Sequence, residues 1–259
     1  MKRIALLFLA LFLITGFSVY GQKVAPGAMV GMTMVVPESE DITNDQFESF
    51  YEKFLPEFRK EAPSVPICLM KKIQGKRMGE YLEFYVFESL DARNEWFPKP
   101  GVSSDKAKEI FKNLGDVWDK YRKTATSVGY TDYVVLPFPG KSIQVKPGNV
   151  VIVFECEITL EEGLSVKDFE KFYLEDYVPM YLKHFPGTQF CILKGERGER
   201  TGKYTELMFF KSMEDYHKWV TEDGMPTEKT KKAFSDMGEV QQRMEKMYTW
   251  SRYNDYIVL

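Results

Sequence analysis

The spacing of apolar residues alternates between two periods along the chain, and the order of alternation is the same in its first and second halves. An apolar stretch over 28–36 ends at Pro37 and reads as a strand. Phe47, Phe50, Tyr51, Phe54, Leu55 and Phe58 then recur at helical spacing, as do Phe169, Phe172, Tyr173, Tyr177, Met180 and Tyr181 further on. Ser165, three residues before Asp168, is a capping signal for the second of these helices, and Pro63 and Pro186-Gly187 stop the two. Short apolar runs at 65–72 and 80–87 flank a turn between Gly75 and Gly79; those at 188–194 and 203–210 flank one between Gly198 and Gly202. Ser89 and Ser212 each open a short helical turn carrying a Trp. One long amphipathic helix is predicted through Ala107, Ile110, Phe111, Leu114, Val117, Trp118 and Tyr121. Its counterpart runs through Ala233, Phe234, Met237, Val240, Met244 and Met247. Strands at 130–136 and 253–259 close the two halves.

The parallel extends to residue identity. Residues 54–136 lie over 177–259 without a gap at an offset of 123, and 26 of the 83 positions are identical. Among them are Cys68/Cys191, Tyr81/Tyr204, Glu83/Glu206, Trp96/Trp219 and Asp132/Asp255. A repeat this long sets the architecture before individual residues are weighed. Each half reads strand, helix, strand, strand, helix, strand, the ferredoxin-like order of an α+β fold. The expected division is a leader over 1–21, a first repeat over 22–136, a Pro- and Gly-rich extended connector over 137–148 and a second repeat over 149–259.

Element order, the passage His184-Phe-Pro-Gly187-Thr-Gln-Phe190, and a Phe-Xaa-Ser-Xaa-Glu/Asp-Xaa-Xaa-Xaa-Xaa-Trp passage after each third strand resemble the dimeric α/β-barrel superfamily. In that superfamily two ferredoxin-like units join their sheets into one barrel; a fused pair implies a monomeric pseudo-dimer. The resemblance carries no catalytic signature.

Composition narrows the setting. Lys2 and Arg3 precede an apolar run over 4–14, and Val19-Tyr-Gly21 offers a small-residue cleavage site. The run is shorter than the roughly 18–20 residues that cross a bilayer, so the expectation is a secreted or periplasmic protein with no stable membrane span. Loss of the leader moves the formal charge from −3 to −5, which argues against nucleic acid as a partner. Three Cys in an exported chain leave at least one unpaired. Cys68 and Cys191, at equivalent places, read as buried thiols.

Candidate chemistry concentrates on the third strands. Alternation puts Leu82, Phe84 and Val86 on one face, and Tyr81, Glu83, Tyr85 and Phe87 on the other; the second half gives Tyr204, Glu206, Met208 and Phe210. The expectation is that the carboxylate-bearing faces point into the barrel and oppose each other across one interior, where desolvation raises a Glu pKa. Tyr81, Glu83, Tyr85, Tyr204, Glu206, Met208 and Arg252 are then ligand-contacting candidates, with Glu83 or Glu206 as candidate base and Tyr81, Tyr204 or Arg252 orienting. A structural alternative pairs each Glu with a cation such as the repeated Lys71 and Lys194. Asp132 and Asp255 suit strand-end capping or pairing with Arg or Lys.

No His-Xaa-His, Cys-Xaa-Xaa-Cys or acid cluster at ligand spacing stands out, so neither a metal nor another cofactor is expected. Superfamily members that degrade haem or split chlorite use a haem-facing His. His184 and His217 are the only histidines and neither is duplicated; His184 suits the exposed carbonyls at a helix end, and His217 is the candidate for a haem-facing role but suits the surface. Three readings stay open: a binder of a small, partly apolar molecule in the barrel, a cofactor-independent monooxygenase or isomerase, and a structural or protein-interaction module.

Overall fold

The computed structural model describes residues 21–259 apart from 75–78, 161 and the side chain of Arg252. The leader expected over 1–21 therefore falls, but for its last residue, outside the described residues. After a short strand β1 (Gln22–Val24) come β2 (Met29–Pro37), α1 (Asn44–Glu61), β3 (Ile67–Gln74) and β4 (Tyr81–Phe87). Then follow α2 (Leu90–Asn94), α3 (Asp105–Leu114), α4 (Asp116–Thr124) and β5 (Ala125–Val135). A strand β6 (Ile143–Val145) precedes the second half: β7 (Val150–Ile158), α5 (Val166–Phe172), a π-helical turn (Tyr173–Tyr177) and α6 (Val178–His184). The chain then forms β8 (Gln189–Gly198), β9 (Tyr204–Phe210), α7 (Met213–His217), α8 (Glu228–Asp236), α9 (Glu239–Met247) and β10 (Tyr248–Val258).

Eight strands form a closed barrel in the order β10-β3-β4-β2-β5-β8-β9-β7. Within each half the four strands are antiparallel. The halves join where the last strand of each pairs with the second strand of the other: β5 with β8, and β10 with β3. Closure leaves the barrel no unpaired sheet edge. The connector is not wholly irregular, because β6 pairs with β1 and the alternation of Gln22-Lys-Val24 and Ile143-Gln-Val145 buries Val24, Ile143 and Val145. These three join the apolar cluster of the barrel interior, so the ribbon closes one end of it.

That interior is built from strand side chains: Cys68, Met70, Leu82, Phe84 and Val86 from the first half meet Val151, Val153, Cys191, Leu207 and Phe209 from the second. Cys68, Cys156 and Cys191 are all free and buried. The interior is filled. A void of about 50 Å³ near Met32, Tyr133 and Tyr256 holds no more than a few waters. The faces expected to meet helices thus meet each other, and the Glu83 and Glu206 faces lie outside the barrel beneath separate helical layers. Both faces of such a sheet are buried, so alternation separates them without saying which is which.

Helix starts follow the sequence closely. Ser165 and Asp168 form a reciprocal capping box, as do Thr43 and Gln46 at α1. The predicted long helices are each broken in two, at Gly115 (φ +50°) and Gly238 (φ +56°), the same place in the two halves. Ahead of the gapless region the equivalence is one residue shorter: Phe47, Glu48 and Tyr51 match Phe169, Glu170 and Tyr173 at an offset of 122. The extra residue of the second half is absorbed in the π turn at Tyr173–Tyr177. Phe54 and Tyr177 therefore resume the common register.

Candidate functional site

Register between β2 and β4 sets the first-half site. Gly31 lies opposite Tyr85 and Thr33 opposite Glu83, on the face that meets the helices. The corresponding pairs in the second half are Ile152 with Met208 and Phe154 with Glu206. Two small residues thus stand where the other half has two large ones. Phe54 and Phe58 of α1, Phe111 of α3, and Trp118 and Tyr121 of α4 roof the space that results, a cavity of about 390 Å³. Phe111, Trp118 and Tyr121 stack with centroid separations of 4.1 and 4.9 Å, forming a flat aromatic wall.

Two buried carboxyl groups stand on the sheet side of the cavity, whose lining also includes Lys99 and Ser103. Glu83 accepts hydrogen bonds from the hydroxyls of Tyr51 (2.6 Å) and Tyr121 (2.8 Å) on Oε1 and of Tyr85 (2.8 Å) on Oε2. Burial pushes its pKa up while these donors pull it down, with a net rise. The cation expected beside it is absent among the described residues: Lys71 pairs with Glu48 and Lys194 with Glu170. Three phenols satisfy the carboxyl instead. The second group is Asp132, whose Oδ2 accepts from Arg93 Nη1 (2.6 Å) and Arg197 Nε (2.8 Å). Arg197 belongs to the second half, reaches across the β5–β8 seam, and also donates to the Phe97 carbonyl and the Tyr130 hydroxyl. Asp132, Arg197 and Tyr130 line the cavity with Glu83 and Tyr85.

The remaining candidates sort as follows. Tyr81 and Tyr204 donate to Glu48 and Glu170 at the helix–sheet boundary and line neither this cavity nor the second-half one. Glu206 is enclosed by Tyr173 (2.6 Å) and the indole of Trp250 (3.2 Å), and burial raises its pKa to about 7. Trp250 stands where the first half has Ser127, so Glu206 is walled off from the second-half cavity of about 280 Å³. Met208 lines that cavity and accepts a hydrogen bond from Tyr181. Of Arg252, only the backbone pairing with Glu155 is described. The two carboxylates therefore do not share an interior. Sequence reasoning missed Gly31, Thr33, Tyr121, Tyr130 and Arg197; the small residues at 31 and 33, set against Ile152 and Phe154, were the available signal.

No family model matches the sequence, and no curated protein matches it. Solved structures do, across nearly the whole chain. A heme-binding protein from Thermus thermophilus is 11% identical with a TM-score of 0.53, over 93% of this chain and 94% of that one. An arginine-to-lysine variant of chlorite dismutase from Candidatus Nitrospira defluvii is 10% identical with a TM-score of 0.52, over 90% and 92%. A proposed monooxygenase from Fusobacterium nucleatum is 11% identical with a TM-score of 0.51, over 90% and 93%. The likeness is one of fold: the chain closes an α+β arrangement into an eight-stranded barrel similar to that of these chlorite dismutase-like structures.

Haem is the cofactor this likeness raises, and the donor set does not fit it. His217 is exposed and bonded to the Val220 carbonyl, and neither His184 nor His217 lines either cavity. The tyrosines at the first cavity have pKa values raised by burial and by Glu83 or Asp132, which opposes the phenolate that iron ligation needs. Among the described residues no group of three His, Cys, Asp or Glu is placed to hold a metal ion. Nor is any described helix long and apolar enough to cross a membrane.

Proposed function

We propose that this protein binds a small, partly aromatic molecule in the first-half cavity, between the sheet and its helices. The observation that carries the reading is the exchange of Ile152 and Phe154 for Gly31 and Thr33, which opens space beside an otherwise equivalent sheet face. Flat apolar walls with a few convergent polar groups suit a planar ligand with hydrogen-bonding groups at one edge. The leader sequence supports export, and barrel closure within one chain supports a monomer.

Mass spectrometry of small molecules released from protein isolated from its native host tests this. A compound bound to the wild type and absent from Thr33→Phe, which installs the second-half residue, is the expected result. Equal recovery from both sinks the assignment. A catalytic reading is favoured by one observation: the buried Glu83 carboxyl lines the cavity and has no ion-pair partner among the described residues. With the recovered compound as substrate, Glu83→Gln should then abolish turnover and retain binding.

A further inference from the structure

The second-half cavity differs from the first in a way that specifies a ligand of its own. Its walls are Phe154, Phe185, Trp219, Phe234, Trp250 and Tyr253, and its volume is about 280 Å³. Three residues at its rim are large apolar groups exposed to solvent: Met225 (57%), Tyr253 (48%) and Trp250 (43%). The acid lining it is Asp255, which is fully buried. Its Oδ2 accepts from the Tyr216 hydroxyl at 2.5 Å, and its Oδ1 is buried without a hydrogen-bond partner among the described residues.

The first half shows what Asp255 lacks. Asp132, the equivalent acid, is held by Arg93 and Arg197. At the offset of 123 those arginines become Tyr216 and Gln74. Gln74 turns away to donate to the Glu222 carbonyl at 2.6 Å. Neither cation has a counterpart at these positions, and the carboxyl is kept in the lining of an aromatic chamber. A buried acid with a free oxygen lacks a donor, and aromatic faces attract cations.

We propose that the second-half cavity is a binding site for an organic ammonium compound with an apolar body, whose N–H group donates to Asp255 Oδ1 while its body packs among Trp219, Trp250 and Phe154. The missing arginines are thus replaced by the ligand. This site is distinct from the first-half cavity and does not depend on what that cavity holds.

Calorimetry on the full mature chain with phenethylamine, 2-phenylethanol and phenylacetate at about pH 8 tests the assignment. The amine is expected to bind at least about tenfold more tightly than the alcohol, with no detectable binding of the acid, and Asp255→Asn is expected to abolish that preference. Val220→Phe introduces the residue that the first half carries at this place, Phe97, and is expected to block the amine with little change in melting temperature. If Asp255→Asn fails to fold, the wild-type ranking of the three probes and Val220→Phe decide the matter. Equal affinity for amine and alcohol, or undiminished amine binding in Val220→Phe, overturns the proposal.

Discussion

Replacing Glu206 by Gln removes a carboxyl that burial holds at about 7 in the folded protein, against an ordinary value of 4.5. Tyr173 donates to one of its oxygens and Trp250 to the other, and no cation approaches it among the described residues. The folded state therefore keeps the proton to a higher pH than the unfolded chain does. A raised carboxyl pKa stabilises fully below about 4.5, and the contribution drains away as pH climbs through 7. The gap corresponds to about 3 kcal/mol across that window.

Glu83 and Asp255 are also raised by burial and act in the same direction, so the pH profile of the wild type alone does not isolate Glu206. The difference between two profiles does. Unfolding free energies from urea titrations between about pH 4 and pH 8 should show the wild type losing roughly 3 kcal/mol relative to Glu206→Gln, most of it between about 5 and 8. Parallel profiles would refute the reasoning. A wild type that gains on the variant as pH rises would point instead to the ion pair considered from sequence.

Arg197→Ala removes one of two guanidinium groups on Asp132 and a tie across the β5–β8 seam; a loss of about 2–4 kcal/mol in urea unfolding is expected, with weaker retention of any first-cavity ligand. Gly238→Ala meets no atom within 4 Å, so its cost comes from backbone strain alone, about 1–3 kcal/mol, and Gly115→Ala should match it. Deleting Asp176, an exposed residue of the π turn, should restore the first-half helix length; a folded protein with unchanged far-ultraviolet circular dichroism is the expected outcome, and loss of folding would show that the turn is required.

The two ferredoxin-like halves are legible in the chain because apolar periodicity and the offset of 123 agree over most of its length, and their joining into one barrel is what the superfamily resemblance implies. Gly115 and Gly238 broke the long helices unannounced: both apolar stripes continue straight across them, and only the backbone reveals the positive φ. The π turn left a clue, since the gapless overlap begins at Phe54 and Tyr177 although Phe47 and Phe169 plainly correspond. The orientation of Glu83 and Glu206 is not written in the strand alternation, because both faces of the sheet are buried. A carboxylate needs donors, and the strand faces carrying Cys68, Leu82, Phe84, Cys191, Leu207 and Phe209 meet in an apolar interior, whereas the helices bring Tyr51 and Tyr121 within reach of Glu83. Partners contributed by a different element, like Arg197 from the other half, leave no local pattern to read.

Divergence between the halves acted on the positions that decide what each space holds. At the first sheet, Gly31 and Thr33 open room while Arg93 and Arg197 neutralise Asp132, so the polar floor is complete and presents hydroxyls and satisfied charges to whatever enters. At the second sheet, Ile152, Phe154 and Trp250 close over Glu206 and move the open volume outward, toward Trp219 and Asp255. The same acid position is therefore saturated in one half and, among the described residues, one donor short in the other. Symmetric packing alone gives no reason to remove both arginines and keep the carboxyl. Retention of Asp255 without them is most simply understood if a donor arrives from outside the chain, and that makes the two cavities sites for chemically different molecules.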